Sequence, residues 1–157
     1  MIDDIDRKLL NILQEYARIS NAELARRVGM APSGILERVK RLEERGLIRG
    51  YQARLDSKKL GSGLVAFAFV KSDERVGGIE SAESLAAIPE VQEVHHIAGE
   101  DCYLIKIRVA DVEALGKLLR EKVGVIPAIR STRTTIVMET VKESATVLVP
   151  GGDGDAG

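Results

Sequence analysis

The chain of 157 residues contains one cysteine, Cys102, no tryptophan and only 3% aromatic residues. A single cysteine cannot form an internal disulfide, so a disulfide-stabilised secreted scaffold is not expected and the cytoplasm is the expected compartment. No apolar run approaches the length of a membrane-spanning helix, and the charged opening MIDDIDRK lacks the apolar core of a signal peptide. We therefore expect no membrane partner.

Charge is nearly balanced overall but unevenly distributed. The formal net charge is −1. Residues 19–54 carry eight Lys or Arg and four acids, a local +4, whereas residues 55–157 carry twelve Lys or Arg and sixteen acids, a local −4. Such asymmetry indicates two modules with different partners, the first suited to a negatively charged one.

Two amphipathic helices are predicted near the N-terminus. Apolar residues at helical spacing indicate a first helix over residues 3–17. A second, short helix is predicted over residues 21–28, with Ser20 or Asn21 as its N-cap and Gly29 at its end. These helices belong to the first module.

A third helix is predicted from Pro32 to about Arg45, ended by Gly46. Its spacing predicts one buried face and one basic face. The buried face contains Ile35, Leu36, Val39 and Leu42. The opposite face contains Gly34, Arg38, Arg41 and Arg45. The next stretch, LIRGYQARLD, is predicted as a short strand or hairpin wing, so the first domain spans residues 1–54.

A linker over residues 55–63 separates this domain from a second one, predicted over residues 64–145. The apolar run LVAFAFV indicates a strand, residues 79–88 a helix, and VQEVHHIAG and CYLIKIRV two strands joined by a turn. A helix capped by Asp111 follows, with its buried face formed by Val112, Leu115, Leu119 and Val123. With a last strand over 129–142, the order is βαββαβ, a ferredoxin-like arrangement in an α+β fold. Residues 146–157 are predicted to be disordered.

The predicted sheet has one face without helices. Alternation is clean in YLIKIRV but absent in LVAFAFV, where both faces of the strand are apolar. A second copy of the chain is the simplest cover, so a homodimer is predicted through this sheet. Cover by the linker is the alternative.

A short helix, a glycine turn and a basic second helix form helix-turn-helix geometry. Arginines on the second helix of such a unit reach guanine edges in the major groove of double-stranded DNA. Arg26, Arg27, Arg49 and Arg54 would contact phosphates. The alternative is a solvated surface helix, because Glu37, Glu43 and Glu44 offer local ion-pair partners.

The stretch DDIDRKLLNILQEYARISNAELARRVGMAPSGILERVKRLEERGLIRGY resembles the signature of the leucine-responsive regulator (Lrp/AsnC) family of transcription factors. The βαββαβ half is similar to that family's effector-binding and oligomerisation domain. The resemblance implies a winged helix-turn-helix regulator whose recognition helix begins at Pro32, with Ser33, Glu37, Arg38 and Arg41 nearest the bases. The family has Ser or Thr at the N-cap where this chain has Ala31, so Ser33 is expected to cap a shifted start. The implied DNA-binding set is Ser33, Glu37, Arg38, Lys40, Arg41, Arg45, Arg26, Arg27 and Arg49.

The stretch AGEDCYLIKI resembles the family's Gly-x-x-Asp-Tyr motif, which lies near a small-molecule site. Cys102 occupies the aspartate position, and the acids are displaced to Glu100 and Asp101. The resemblance implies an amino-acid effector and assembly beyond the dimer, into a tetramer or octamer. The implied effector-binding set is Gly99, Glu100, Asp101, Cys102, Tyr103, Thr132, Thr134 and Thr135.

No metal, cofactor or catalytic residue is predicted. His95 and His96 are adjacent on a strand and point to opposite faces, so they cannot readily share an ion. No activated nucleophile or Gly-rich phosphate loop is present, so a non-enzyme is expected. The alternative is an enzyme on the same architecture, such as a sirohaem-decarboxylase-like protein. The histidine pair favours that alternative and the basic helix opposes it.

Overall fold

The computed structural model describes residues 2–150, which form two compact units. The first unit contains residues up to Arg54 together with the segment from Lys142, and the second is Leu55–Val141. Each has its own apolar core. The predicted second domain extends to residue 145, whereas residues 142–145 group with the N-terminal unit, in which Arg54 donates to the carbonyl of Glu143.

The first two helices of the N-terminal unit are α1, Asp4–Glu15, and α2, Asn21–Val28. Asp3 caps α1 by accepting a hydrogen bond from the backbone of Asp6, whose side chain in turn reaches back to Asp3. Ser20 caps α2, and Gly29 ends it in the left-handed conformation that glycine adopts without strain, with φ of 73°. The predicted second helix is therefore confirmed, including its cap and its end.

Helix α3 spans Pro32–Glu44, as predicted to within one residue. Pro32 occupies its first turn and Ala31 is the N-cap, with no side-chain hydrogen bond. The expected cap by Ser33 is wrong, because proline fixes the first helical position one residue earlier. Leu36, predicted to be buried, is 57% exposed, whereas Ile35 and Leu42 are fully buried.

The segment after α3 contains no strand between residues 47 and 56. Within residues 2–150, the strand predicted for this segment is therefore wrong. A strand needs a neighbour to satisfy its backbone groups, and among residues 2–150 no strand lies beside this segment.

The C-terminal stretch 142–150 follows α1 in an irregular conformation. The side-chain amide of Gln14 donates to the carbonyl of Val147 (3.0 Å) and accepts from its N–H (3.0 Å). Arg7 donates through Nε to the carbonyl of Pro150 (2.6 Å). The prediction of disorder from residue 146 is thus wrong for 146–150, because α1 supplies these side-chain partners. Residues 151–157 lie outside the described residues.

The C-terminal unit is a four-stranded antiparallel sheet with helices on one face. Its elements are β1 (Leu64–Ser72), α4 (Glu80–Ala86), β2 (Val91–His96), β3 (Tyr103–Val109), α5 (Val112–Leu118, continued by a π-helical turn Leu119–Val123) and β4 (Ile129–Ile136). Strand order is β2-β3-β1-β4. The predicted βαββαβ architecture is confirmed.

Burial follows the predicted alternation in β3, whose core-facing residues are Tyr103, Ile105, Ile107 and Val109. In β1, Ala66, Ala68 and Val70 join the same core. Phe67 and Phe69 point to the face without helices and are half-buried in the single chain. The dimer predicted through this face stays a prediction.

Two details of the second domain differ from prediction. Val112 is 61% exposed, and Leu118 rather than Leu119 is fully buried, because α5 turns its face slightly as it continues into the π-helical turn. Strand β4 ends at Ile136 rather than 142. The N–H of Val137 still donates to the carbonyl of Val65 (2.9 Å), but β1 begins at Leu64, so it has no residues to pair with the chain beyond residue 138. Among residues 2–150, none of the helices has both the length and the apolar character needed to cross a membrane.

Candidate DNA-binding helix and effector site

The outer face of α3 is polar, and its composition differs from the predicted face. The exposed side chains of the helix that can contact DNA are Ser33, Glu37, Lys40 and Arg41, with Arg45 at the C-cap. Arg38, placed by the sequence pattern among the basic residues of this face, has a side chain only 19% exposed. The polar face is therefore rotated relative to the predicted one: Leu36 lies outside the core, and the side chain of Arg38 lies close to the core.

Arg38 is held by two carboxylates from the N-terminal end of α1. Its Nη1 donates to Asp3 at 2.7 Å and to Asp6 at 2.9 Å. The pKa of Asp3 falls below its usual value because of the hydrogen bond from the backbone of Asp6 and then that from Arg38. The pKa of Arg38 is raised by the same two carboxylates. These two contacts tie the N-terminal end of α1 to α3.

Arg38, Arg41 and Arg45, which the sequence predicted on one face, line a single polar cleft. This cleft has a volume of about 230 Å³. It is lined by Asp3, Asp6, Arg38, Arg41, Leu42 and Arg45. Within residues 2–150 the guanidinium of Arg41 has no hydrogen-bonding or ion-pair partner. Arg41 is thus the arginine of α3 with all its donors available.

The basic residues of α2 share one acid. Glu23 accepts from Arg26 (2.6 Å) and Arg27 (3.0 Å), and these hydrogen bonds lower the pKa of Glu23 to about 2. Arg27 also lies 5.4 Å from the centre of the Tyr16 ring. Arg49, in the irregular segment after α3, is exposed. All four predicted phosphate contacts, which include Arg54, are thus exposed. Glu23 partly neutralises two of them, Arg26 and Arg27.

A second, more apolar groove of about 440 Å³ borders the other side of α3. It explains the exposure of Leu36, which lines the groove beside Val39 and Tyr51. The hydroxyl of Tyr51 donates to Glu43 at 2.9 Å, and burial together with this carboxylate raises the pKa of Tyr51 to about 12. The sequence pattern missed this groove, because its other walls come from α1, the α1–α2 connection and the segment after α3, which no local pattern brings together.

The candidate effector residues lie at one end of the sheet. Gly99 has a φ of 143°, which favours glycine, and the side chain of Glu100 is exposed. The thiol of Cys102 accepts from the N–H of Ser72 (3.4 Å) and donates to its carbonyl (3.3 Å). Cys102 therefore bridges the loop to the end of β1 and supplies no charge where the family motif has aspartate.

Asp101 is paired rather than free. It accepts from Arg133 of β4 at 3.0 Å, and the Arg133 guanidinium lies 4.3 Å from the centre of the Phe69 ring. This contact is a cation–π geometry on the face without helices. Neither Arg133 nor Phe69 was predicted, because the sequence alone does not show which residues of β1 and β4 are neighbours.

Tyr103 points to the opposite, helix-covered face. Its hydroxyl donates to Glu74 at 2.6 Å, and the other carboxylate oxygen of Glu74 accepts from the backbone of Ser81. Burial and the Glu74 charge raise the pKa of Tyr103 to about 12. Burial alone would raise the pKa of Glu74, but the hydrogen bonds from Ser81 and Tyr103 outweigh it, and the pKa is lowered. Glu74 is thus a half-buried carboxylate on the helix-covered side of the sheet, and the sequence pattern did not predict it.

The three threonines of β4 do not share a face. Thr132 pairs with Val70 and Thr134 with Ala68, both on the core side, whereas Thr135 pairs with Phe67 on the other side. The hydroxyl of Thr134 is buried and has no hydrogen-bond partner within residues 2–150. The predicted effector set is thus gathered at one region of the sheet but divided between its two faces.

The two histidines also lie on opposite faces, as the strand period predicts. His95 is 3.1 Å from Glu93, and the His96 ring is 5.3 Å from that of Tyr103. In the part of the chain that the structure describes, no three His, Cys, Asp or Glu residues are grouped as metal ligands.

Replacement of Glu74 should change the acid stability of the C-terminal unit. The lowered pKa of Glu74 adds stability at pH values above its unfolded value, near 4.5, and this stability is lost as the pH falls through the folded pKa. Glu74→Gln is therefore expected to lower the unfolding temperature at neutral pH and to flatten its fall below about pH 5. Tyr103→Phe removes one hydrogen-bond donor to Glu74, so it should partly flatten the same fall in unfolding temperature. Parallel pH profiles of Glu74→Gln and the parent would contradict this account.

Comparison with protein families gives two matches that together span most of the chain. Residues 2–49 match a winged helix-turn-helix DNA-binding model, and residues 65–147 match the Lrp/AsnC ligand-binding domain. The leucine-responsive regulatory protein of Escherichia coli K12 is 41% identical over 150 residues, covering 94% of this chain and 92% of that protein.

Solved structures give the same result. A transcriptional regulator of Neisseria meningitidis in complex with L-methionine has a TM-score of 0.89 at 29% identity, covering 94% of this chain and 97% of that one. The feast or famine regulatory protein of M. tuberculosis complexed with L-methionine has a TM-score of 0.86 at 34% identity, covering 94% and 99%.

Proposed function

The chain belongs to the Lrp/AsnC family of transcriptional regulators, and we propose that it binds specific double-stranded DNA sites under the control of an amino acid. The observation that carries this proposal is α3, which follows a glycine-ended helix and presents Ser33, Glu37 and Arg41 to the outside. A helix so placed enters the major groove with its exposed side chains against the base edges.

The roles on DNA follow from chemistry and exposure. Arg41 can donate two hydrogen bonds to guanine, Glu37 can accept from cytosine, and Ser33 can bond either way. Lys40, Arg45 and Arg49 are placed to neutralise phosphates, as are Arg26 and Arg27 once DNA competes with Glu23 for them. We also propose that the protein is cytoplasmic.

We propose an amino acid as the effector because two structural relatives are complexes with L-methionine. The sheet end that carries Asp101, Tyr103 and Thr134 is its proposed site. Asp101 is already paired with Arg133, and Cys102 offers no charge, so Glu100 is the exposed carboxylate left for the ammonium group. An effector alters DNA binding by favouring one state of the protein over another.

Assembly is proposed to use the face of the sheet without helices. Phe67 and Phe69 are half-buried there, and a second copy would cover them. Light scattering on a size-exclusion column is expected to give a dimer or a multiple of it, and a monomer would contradict the proposal.

Fluorescence anisotropy with DNA from upstream of the protein's own gene tests the function, against a scrambled duplex and between about 50 and about 300 mM salt. Sequence-preferring, salt-dependent binding is expected, as is heat on titration with at least one amino acid. Weak and equal binding to both duplexes would require a search for another target site. Absence of all DNA binding would contradict the proposal and favour an enzyme, with tetrapyrroles as the first substrates to test.

A further inference from the structure

We infer that Arg38 is a positioning residue, which Asp3 and Asp6 hold so that α1 fixes the orientation of α3, and that Arg41 is the arginine that reads bases. The inference rests on the proposed DNA-binding function. It assigns different roles to two arginines that are three residues apart and look equivalent in the sequence.

Geometry is the first support. One nitrogen of Arg38 donates to both carboxylates, at 2.7 and 2.9 Å, across a sequence separation of more than 30 residues. Both partners are part of the α1 N-terminus: Asp3 caps the helix through the Asp6 backbone. The contact therefore joins the helix start that Asp3 defines to the second turn of α3.

Burial is the second support. The side chain of Asp6 is 12% exposed and that of Arg38 is 19% exposed. Turning Arg38 toward a base would leave the Asp6 carboxylate buried without its cation, which is costly. The charge of Asp3 beside it would also repel the approaching DNA. Both effects keep Arg38 in place when DNA binds.

Availability distinguishes Arg41. It is exposed, lines the same cleft as the two acids and has no side-chain partner within residues 2–150. Because Arg38 already neutralises part of the acidic charge in this cleft, Arg41 keeps its donors for a base edge. A bidentate contact to guanine needs two free donors on one edge of the guanidinium.

Lysine substitutions separate the two roles. Lysine places one positive charge between two carboxylates but cannot reproduce the bidentate fork of arginine. Arg38→Lys is therefore expected to keep the base preferences of the parent and most of its affinity. Arg41→Lys, the matched control, is expected to lose preference at one base pair. Arg38→Ala should weaken binding to every duplex by one common factor, on the order of tenfold, without changing their ranking.

The measurement is anisotropy with a preferred duplex and its single-base-pair variants, together with thermal unfolding. Arg38→Ala and Asp6→Asn should lower the unfolding temperature, and the double variant should fall less than the sum of the two. A loss of preference at one base pair in both Arg38→Ala and Arg38→Lys, with additive unfolding effects, would overturn the inference. If the parent prefers no duplex, the proposed function fails, and the role of Arg41 fails with it. The thermal unfolding of the two single variants and the double variant still decides whether the two acids hold Arg38.

Discussion

Arg41→Ala is expected to weaken binding to a cognate duplex by about 1–3 kcal/mol, the range for one well-placed bidentate contact to a base. The structure favours this residue because it is exposed on α3 and its donors are not used within residues 2–150. The loss should be confined to duplexes that carry the matching base pair. Anisotropy with the cognate duplex and its single-base variants measures both the size of the loss and its position.

Two controls give this result its meaning. Arg120→Ala removes an exposed arginine from the C-terminal unit and should leave DNA binding unchanged. Arg27→Ala removes a proposed phosphate contact, so it should weaken all duplexes similarly and reduce the salt slope by about one. A response of Arg41→Ala that equals the response of Arg27→Ala on every duplex would mean that Arg41 contacts phosphates only.

Ile105→Ala is expected to destabilise the C-terminal unit by about 2–5 kcal/mol. Ile105 is fully buried at the centre of β3, opposite Ala68 of β1 and Val94 of β2. Two small or β-branched neighbours leave little material to fill the cavity, so the upper part of the range is expected. Urea unfolding followed by circular dichroism gives the free energy of unfolding.

The control for Ile105 is Val112→Ala, which removes an apolar side chain that is 61% exposed at the start of α5. Its effect should lie within about 0.5 kcal/mol. Equal stabilities for the two variants would contradict the assignment of the core.

Because Tyr103 lies two residues before Ile105 on the same face of β3, amino-acid binding should weaken with Ile105→Ala.

Local chemistry made the helix ends predictable. Ser20 and Asp111 are N-caps, and Gly29 ends α2, because each of these residue types satisfies backbone groups that a helix leaves unpaired. The alternation of YLIKIRV predicted β3 for the same kind of reason, since one face of the strand is buried by helices. The order of elements then gave the ferredoxin-like fold.

The division of α3 into faces was not predictable in the same way. Leu36 and Arg38 both fit a helix period, and only the position of Asp3 and Asp6 draws Arg38 inward. Those acids are more than 30 residues away in the sequence, so no local pattern shows the contact. Leu36 is left beside a groove that α3 forms with α1, the α1–α2 connection and Tyr51.

The candidate effector site shows the same limit. The motif around Cys102 was visible in the sequence, but its contacts are with Ser72, and those of Tyr103 are with Glu74. Ser72 is the last residue of β1 and Glu74 follows it, so both lie about 30 residues before the side chains that they contact. Strand register decides which side chains meet, and it depends on the packing of the whole sheet.

Selection of binding sites from a random duplex library, with the parent and Arg41→Ala in parallel, is the most direct test of the claim that α3 reads DNA sequence. If α3 reads DNA sequence, the parent selects one enriched motif, and the variant selects the same motif without preference at a base pair that the parent reads as guanine. Selected pools from the parent that show no motif, with binding that depends on salt alone, would contradict it.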